Sequence, residues 1–551
     1  MRSYIVGCDI PRLIVAFWSV AILCTMGVRT MQVPFPTPDR KLAVKNTSKR
    51  IAVVGAGAGG LSALKALVDL PEQLRSGWDI IAFERRDGIG GVWLPDFSPP
   101  QPPDLPQSPL YPGLHTNGPH PQMTLPLLPL PPETPLLAPH ESVLHYHQSV
   151  VESFGLSKYI RLQHQVTSAT WTGSEWNVTV LDLSKNKTTH FAVDHLIAAP
   201  GFNAFPVVPN IHGQEEWLAA DKSRSIMHCM WYRDPSIYRG KIVAVLGGGP
   251  SGWDMVRKIP QHADTVYWSR DTKQENPASP GFPPIPGVPD VPRVASLHSN
   301  GSALLVNGDM LPRVDAIVLA TGYATRIPFL TAGGHLAEQE TQAMHLTTNG
   351  RYIHPLFEHT LSLDPAYPLG ALYLGGVLST NPTGMTSYAQ GIFAAYTIAH
   401  PELLHSREEL LDLLHKREDR IRGEGFRPER LGHRWGHGYG AYAGFNADGP
   451  FEDLLVTYLR VRSNGTLAGS PGIPPTGRNY TEKWRLWALK HGMDLVNAWH
   501  AGIEHEGEET WIHRWSAGRV TEADYVDEMR DVAEWWAGRK NKTDVADSWW
   551  L

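Results

Sequence analysis

The sequence predicts an α/β fold built on two Rossmann-like units and followed by a helical C-terminal region. Three observations predict it. A short apolar strand runs into a glycine-rich turn near residue 55, a second strand and turn repeat this near residue 247, and helical patterns dominate after Ser387. At 551 residues the chain exceeds one ordinary domain, so two or three are expected. Its 42% hydrophobic and 19% charged residues suit large buried cores. A net charge of -6 offers phosphates no basic surface, so nucleic acid is not an expected partner.

The N-terminus reads as a targeting segment over residues 1–28. Arg2 and Arg12 precede an apolar run from Leu13 to Val28, and Thr25, Met26 and Gly27 offer a small-residue exit. A helix over that run would span about 24 Å, short of the roughly 30 Å hydrocarbon core, so a cleaved signal is expected over an anchor. Membrane attachment is expected only if residues 13–28 are retained. Asn46, Asn177, Asn186, Asn300, Asn464, Asn479 and Asn541 each begin an Asn-X-Ser/Thr glycosylation sequon. They are seven of sixteen asparagines, more than chance placement gives, and with the N-terminal run they predict the secretory pathway: the lumen of the endoplasmic reticulum or secretion. Only Cys229 lies beyond that run, which allows neither an internal disulfide nor a cysteine-based zinc site.

Along the body, Arg50 to Val54 reads as a buried parallel strand, Leu61 to Leu70 as a helix, and Trp78 to Phe83 as a second strand ending in Glu84. Between Pro95 and Pro139, sixteen of forty-five residues are proline, so an irregular excursion is expected there, packed near the glycine turn. A helix is expected from Ser142 to Phe154, antiparallel strands from Gln165 to Val193, and a buried strand from Leu196 to Ala199. The pattern restarts with strands at Lys241 to Leu246 and Thr265 to Ser269, ending at Arg270, then a proline-rich loop and a strand from Asp315. Nine tryptophans fall in the last seventy residues and read as packing.

Two fingerprints carry the chemistry. Gly55-X-Gly57-X-X-Gly60, with Gly59 between, follows a strand and opens a helix, the context that dinucleotide binding requires. Its glycines permit a tight turn and close phosphate approach, the helix N-terminus offers free N–H groups, and Glu84 is placed for a ribose diol. Gly247-X-Gly249-X-X-Gly252, which includes Ser251, repeats the motif, but its second strand ends in Arg270. An arginine there can grip a 2′-phosphate that an acid would repel, so NADPH is expected at the second site. Two dinucleotides in one chain fit hydride transfer from a nicotinamide to a flavin, making FAD the first.

Across roughly residues 48 to 400 the chain resembles the flavin-containing monooxygenases. The resemblance rests on the glycine loops and on Gly90-Gly91-Val92-Trp93, Leu114-His115-Thr116-Asn117 and His228 to Arg233 through Tyr232. It rests further on Ala320-Thr321-Gly322-Tyr323 followed by Pro328-Phe329-Leu330, and on Gln390. It implies that Gly91, Trp93, Thr321, Gly322 and Gln390 contact cofactor, that Tyr232 adjoins NADPH, and that Asn117 assists catalysis. It also implies an oxygen atom passed from O2, through a flavin C4a-hydroperoxide, to a small-molecule amine or sulfide. The implied organisation is an FAD domain over 48–212 (with the excursion 95–139), an NADPH domain over 213–318, a return to the FAD domain over 319–400, and a helical tryptophan-rich region over 401–551.

The chain departs from the family pattern at Lys222 and Arg224, at Ala199-Pro200-Gly201, and at Tyr388, where glutamate is common. Two alternatives stay open: Baeyer–Villiger insertion into ketones, against which Arg233 speaks, and an NADPH oxidase releasing hydrogen peroxide. A disulfide-type reductase would need a cysteine pair, which the body lacks, and a lectin-like scaffold would not need two nucleotide loops.

Overall fold

Strand, glycine turn and helix follow one another twice, and both copies build parallel sheets. The computed structural model describes residues 48–271, 282–339, 344–376, 383–423, 425–431 and 451–539. The N-terminal targeting segment, Asn46 and Asn541 lie outside the described residues. None of the described helices is long and apolar enough to cross a membrane.

In the first unit β1 (Lys49–Val54) leads into α1 (Ala58–Asp69), then β2 (Trp78–Phe83), with β3 (His195–Ala198) arriving much later. β1 lies between β2 and β3, parallel to both, with Val54 beside Phe83 and Ala198. The β-branched run in β1 is buried because both sheet faces are covered, which is why it reads as continuously apolar. The second unit contains β4 (Ser225–His228), β5 (Ile242–Leu246), α2 (Pro250–Lys258), β6 (Thr265–Ser269) and β7 (Ala316–Leu319). Here β5 lies between β6 and β7, with Leu246 beside Ser269 and Leu319. The two registers superimpose: Gly247 stands where Gly55 does, Arg270 where Glu84 does, and Ala320 where Ala199 does.

The chain then returns to the first sheet. β8 (Leu372–Leu374) pairs with β3, completing the order Leu356–Phe357, Leu361–Ser362, β8, β3, β1, β2, Ile160–Arg161. The five strands of the second sheet all fall between residues 225 and 319, inside the first unit's span. The crossing strands meet as a short antiparallel ribbon, Phe205–Pro206 against Tyr323–Ala324. α3 (Thr383–Ala399) covers the first sheet by packing on α1. Gly391 makes that approach possible, since a Cβ there would stand 2.8 Å from the Ser62 carbonyl oxygen. The antiparallel strands expected between 165 and 193 form their own three-stranded sheet.

The proline-rich excursion has almost no regular structure, as its composition requires, yet its second half is closed on itself by backbone bonds. Thr116 N–H donates to Ala138 O (2.9 Å), His120 N–H to Leu136 O (2.9 Å) and His140 N–H to Leu114 O (3.0 Å). The tryptophan-rich region folds as α4 (Lys483–Glu506), α5 (Glu508–Ser516) and α6 (Glu522–Arg539). The tryptophans from Trp484 to Trp536 join one core with Trp253, Val256 and Ile259 of the second unit, while Trp549 and Trp550 lie outside the described residues. Arg485, fully buried, donates to Pro121 O in the excursion and pairs with Glu482 and Glu522.

Candidate active site

Each glycine loop is shaped by the same two close approaches. Gly55 (φ +106°) and Gly247 (φ +129°) lie in the left-handed half of backbone space, each with its missing Cβ directed at a carbonyl oxygen, Ala199 O and Ala320 O. The Cβ missing from Gly60 would collide with Gly55 O, and that missing from Gly252 with Gly247 O. Gly55 N–H donates to Phe83 O (2.8 Å) and Gly247 N–H to Ser269 O (2.9 Å), so both turns are clamped at matching points.

The helices that follow begin alike. Gly57 (φ −86°, ψ −169°) caps α1 and Gly249 (φ −85°, ψ −176°) caps α2, with no side-chain cap and no acidic residue in either first turn. The first N–H groups of each helix therefore face outward with a positive dipole end behind them, suited to a pyrophosphate. A Cβ on Gly249 would meet no atom within 4 Å, so open space lies above the second loop. Around the first loop the neighbours are themselves glycines: Gly91 lies 3.2 Å from the Cβ position of Gly57, and Gly376 lies 2.9 Å from that of Gly59. Gly90 N–H donates to Ala56 O (2.9 Å), so the Gly90–Trp93 turn is fastened directly to the loop. These cradles fit dinucleotides.

Glu84 is buried, and its carboxylate accepts from the N–H groups of Ala56 (2.8 Å) and Arg86 (3.0 Å). Each oxygen keeps a lone pair for a ribose hydroxyl. Sequence reasoning missed Arg86, whose guanidinium donates to Gly91 O (3.1 Å), Leu94 O (2.6 Å) and Pro95 O (2.7 Å) and so fixes the exit of the Gly90–Trp93 turn. Only its place two residues past Glu84 could have signalled it.

The other residues expected at the cofactors lie partly in the cores and partly at the loops. Tyr232 is 1% exposed and edge-on to Tyr111 in the second core. Gln390 is 2% exposed, accepting from Gly376 N–H and donating to Thr360 Oγ (3.2 Å each). Thr321 Oγ donates to Val207 O (2.5 Å), tying together the two crossing strands, and Gly322 O accepts from Val207 N–H (2.9 Å). Arg270 is already engaged, side-on, by Asp290. Trp93 is half-buried against the first core, and Ser251 is half-buried at the start of α2.

Asn117 is exposed, and its side-chain amide bonds to no described residue, while neighbouring Thr116 is buried and held through Gly118 O (2.8 Å). His228, by contrast, is spent on structure. Its Nδ1 accepts from Met230 N–H (3.1 Å), so Nε2 carries the proton and donates to Gly322 O (3.1 Å). Burial lowers its pKa to about 4, keeping it neutral at physiological pH. Burial likewise pushes the Cys229 thiol up to about 11, leaving it unreactive. Arg233 latches the second unit to the excursion, donating to Asp96 O and Ser108 O (2.8 Å each) besides Met230 O and Tyr232 O. Among the departures, Arg224 bonds Trp217 O (2.8 Å) and Ser299 O (2.9 Å), and Tyr388 bonds Asp69 (2.9 Å).

Residues 48–274 match the family model described as flavin-binding monooxygenase-like. The chain is 26% identical over 328 residues to senecionine N-oxygenase of Tyria jacobaeae, covering 58% of this chain and 66% of that protein. It is 28% identical to the thiol-specific monooxygenase of Saccharomyces cerevisiae, covering 58% and 71%. The match thus spans about two thirds of these relatives' length. S-allyl-L-cysteine S-oxygenase from Allium sativum shares the fold, with a TM-score of 0.65 at 20% identity over 89% of this chain and 99% of that one. The matched residues 48–274 thus resemble the flavin-binding monooxygenases, a likeness that agrees with the duplicated loops and their shared register.

Proposed function

We propose that this chain is an NADPH- and FAD-dependent monooxygenase that passes one oxygen atom from O2 to a soft nucleophile, an amine nitrogen or a sulfide sulfur. The observation that carries the reading is the pair Glu84 and Arg270, opposite charges at the same point of two superimposable units. The acid suits an unphosphorylated ribose, as in FAD, and the arginine a 2′-phosphate, as in NADPH. The N- and S-oxygenase names of the relatives support the choice of acceptor. When bound, FAD would accept a hydride from the nicotinamide and supply the centre that activates O2.

The chain's own residues hold, orient and shield. The two uncapped helix ends hold the pyrophosphates, Glu84 orients a ribose, and the Gly90–Trp93 turn closes against the first loop. Asn117 offers both an N–H donor and a carbonyl acceptor from an anchored segment, able to hold a proton or a nicotinamide amide in place. The test is to measure flavin absorbance, NADPH use, oxygen uptake and peroxide together, with amines and sulfides as acceptors. Oxygenated product in step with NADPH supports the reading; peroxide equal to NADPH with every acceptor replaces it with an oxidase. Asn117→Ala should keep FAD and raise the peroxide share severalfold. Unchanged coupling would remove Asn117 from the mechanism.

We further propose a lumenal, glycosylated protein. Asn186, Asn300, Asn464 and Asn479 are exposed, whereas Asn177 sits half-buried in the central strand Trp176–Asp182, paired on both sides. Expression in a eukaryotic secretory host should give glycans at the four exposed sites and not at Asn177, read by glycosidase digestion and mass spectrometry. Unmodified peptides throughout would overturn the placement.

A further inference from the structure

Arg270 does not stand alone. Its guanidinium lies over the Trp268 ring, 3.6 Å from the centroid, and Trp268 is fully buried with its indole N–H donating to Gly247 O (2.9 Å). The same indole thus braces the glycine turn and forms the floor for the arginine. The arginine stem lies across the loop as well, with its Cβ 3.2 Å from the Cβ position of Gly248. From the side, Asp290 accepts two bonds, from Nε (2.9 Å) and Nη2 (2.6 Å), and Phe282 O accepts from Nη1 (2.6 Å). A guanidinium has five N–H donors. Three are used, which leaves two.

Asp290 reaches Arg270 because Asp290–Val291 adds a parallel strand outside β6, with Asp290 beside Trp268. The first unit has the same outer strand, Ile160–Arg161, and there Ile160 stands at the matching place beside Ala82. The acid is therefore a feature of the second unit alone, set against the one residue that distinguishes its ligand. Its side chain is about one-third exposed, so the pair sits at the mouth of the loop.

We propose that Asp290 is a specificity-determining residue that sets how strongly the chain distinguishes a 2′-phosphorylated adenine nucleotide from an unphosphorylated one. It does two opposing things. It pins the arginine fork flat on Trp268, sparing the entropy of ordering a long side chain. Its negative charge also cancels part of the attraction that Arg270 offers a phosphate. The charge dominates because the Trp268 floor and Phe282 O already hold the fork. The inference rests on Arg270 as the 2′-phosphate ligand.

The test uses the FAD-loaded full chain and titrates 2′,5′-ADP and 5′-ADP by calorimetry, with no turnover. Asp290→Asn keeps the shape and an acceptor while removing the charge. It should tighten 2′,5′-ADP about tenfold, the effect of one charge across a few ångströms of half-exposed surface, and leave 5′-ADP nearly unchanged. The gain should shrink in high salt. Asp290→Ser, which loses pin and charge together, should gain less than Asn. A ratio of affinities unchanged or lowered in Asp290→Asn overturns the proposal while leaving Arg270 in its role. Arg270→Ala separates the two: it should collapse the ratio, and a ratio it leaves intact overturns the role of Arg270 and this inference with it.

Discussion

Gly60→Ala will purify colourless and will not take up FAD, although its circular dichroism stays native. The added methyl collides with Gly55 O, and neither the Cβ, fixed on its Cα, nor the backbone oxygen can swing away. Gly55 is itself held by Phe83 O and lies against Ala199 O, so relief must come from lifting the turn off the sheet. That displaces the N–H groups at the start of α1 and the Gly90–Trp93 turn fastened to Ala56. FAD affinity should fall at least about a hundredfold, ~2.7 kcal/mol. Gly252→Ala is the matched control, since its methyl meets Gly247 O in the same way. It should stay yellow and lose affinity for 2′,5′-ADP instead. Equal flavin content in wild type and Gly60→Ala would show that the first loop is not the flavin cradle.

Trp511→Ala has its effect far from either loop. Trp511 is fully buried, edge-on to Trp499 (5.9 Å), Trp515 (5.5 Å) and Trp535 (4.6 Å), and fills the space left by Gly502 on α4. Truncating so large a buried ring costs about 3–5 kcal/mol, enough to open the three-helix region locally while the sheets stay folded. The excursion should loosen with it. Arg485 reaches Pro121, and Tyr525 accepts from Thr134 N–H (3.2 Å) and donates to Pro131 O (3.0 Å). Faster hydrogen exchange over 483–539 together with 114–138, and a larger peroxide share, are the expected readings. Exchange confined to the helices would show that the excursion, and Asn117 on it, stands without them.

Both loops were legible because a glycine fingerprint reports backbone geometry directly: a positive φ and two missing methyl groups leave little alternative to Gly55, Gly60, Gly247 and Gly252. The acid and the arginine were legible because strand length and register place them, each one residue past the last paired position. Contacts inside the body were not. Tyr232 and Gln390 are buried, and a motif does not say how deep in the core a side chain lies. Arg86 acts on carbonyls at the exit of the Gly90–Trp93 turn and Arg233 on carbonyls of the excursion, and neither segment has a periodicity from which a partner could be inferred. Asp290 stayed hidden because an edge strand of two residues follows a proline-rich stretch.

The ribbon joining Phe205–Pro206 to Tyr323–Ala324 carries a consequence for how such a chain could arise. The second unit leaves and rejoins the first at adjacent points, sealed by Thr321 Oγ to Val207 O and by Val207 N–H to Gly322 O. A module whose two ends touch can be set into a surface connection of another without stretching either. Here host and guest carry the same strand–turn–helix plan. The two units differ in charge at one matched position, glutamate in the host and arginine in the guest, on an otherwise repeated plan.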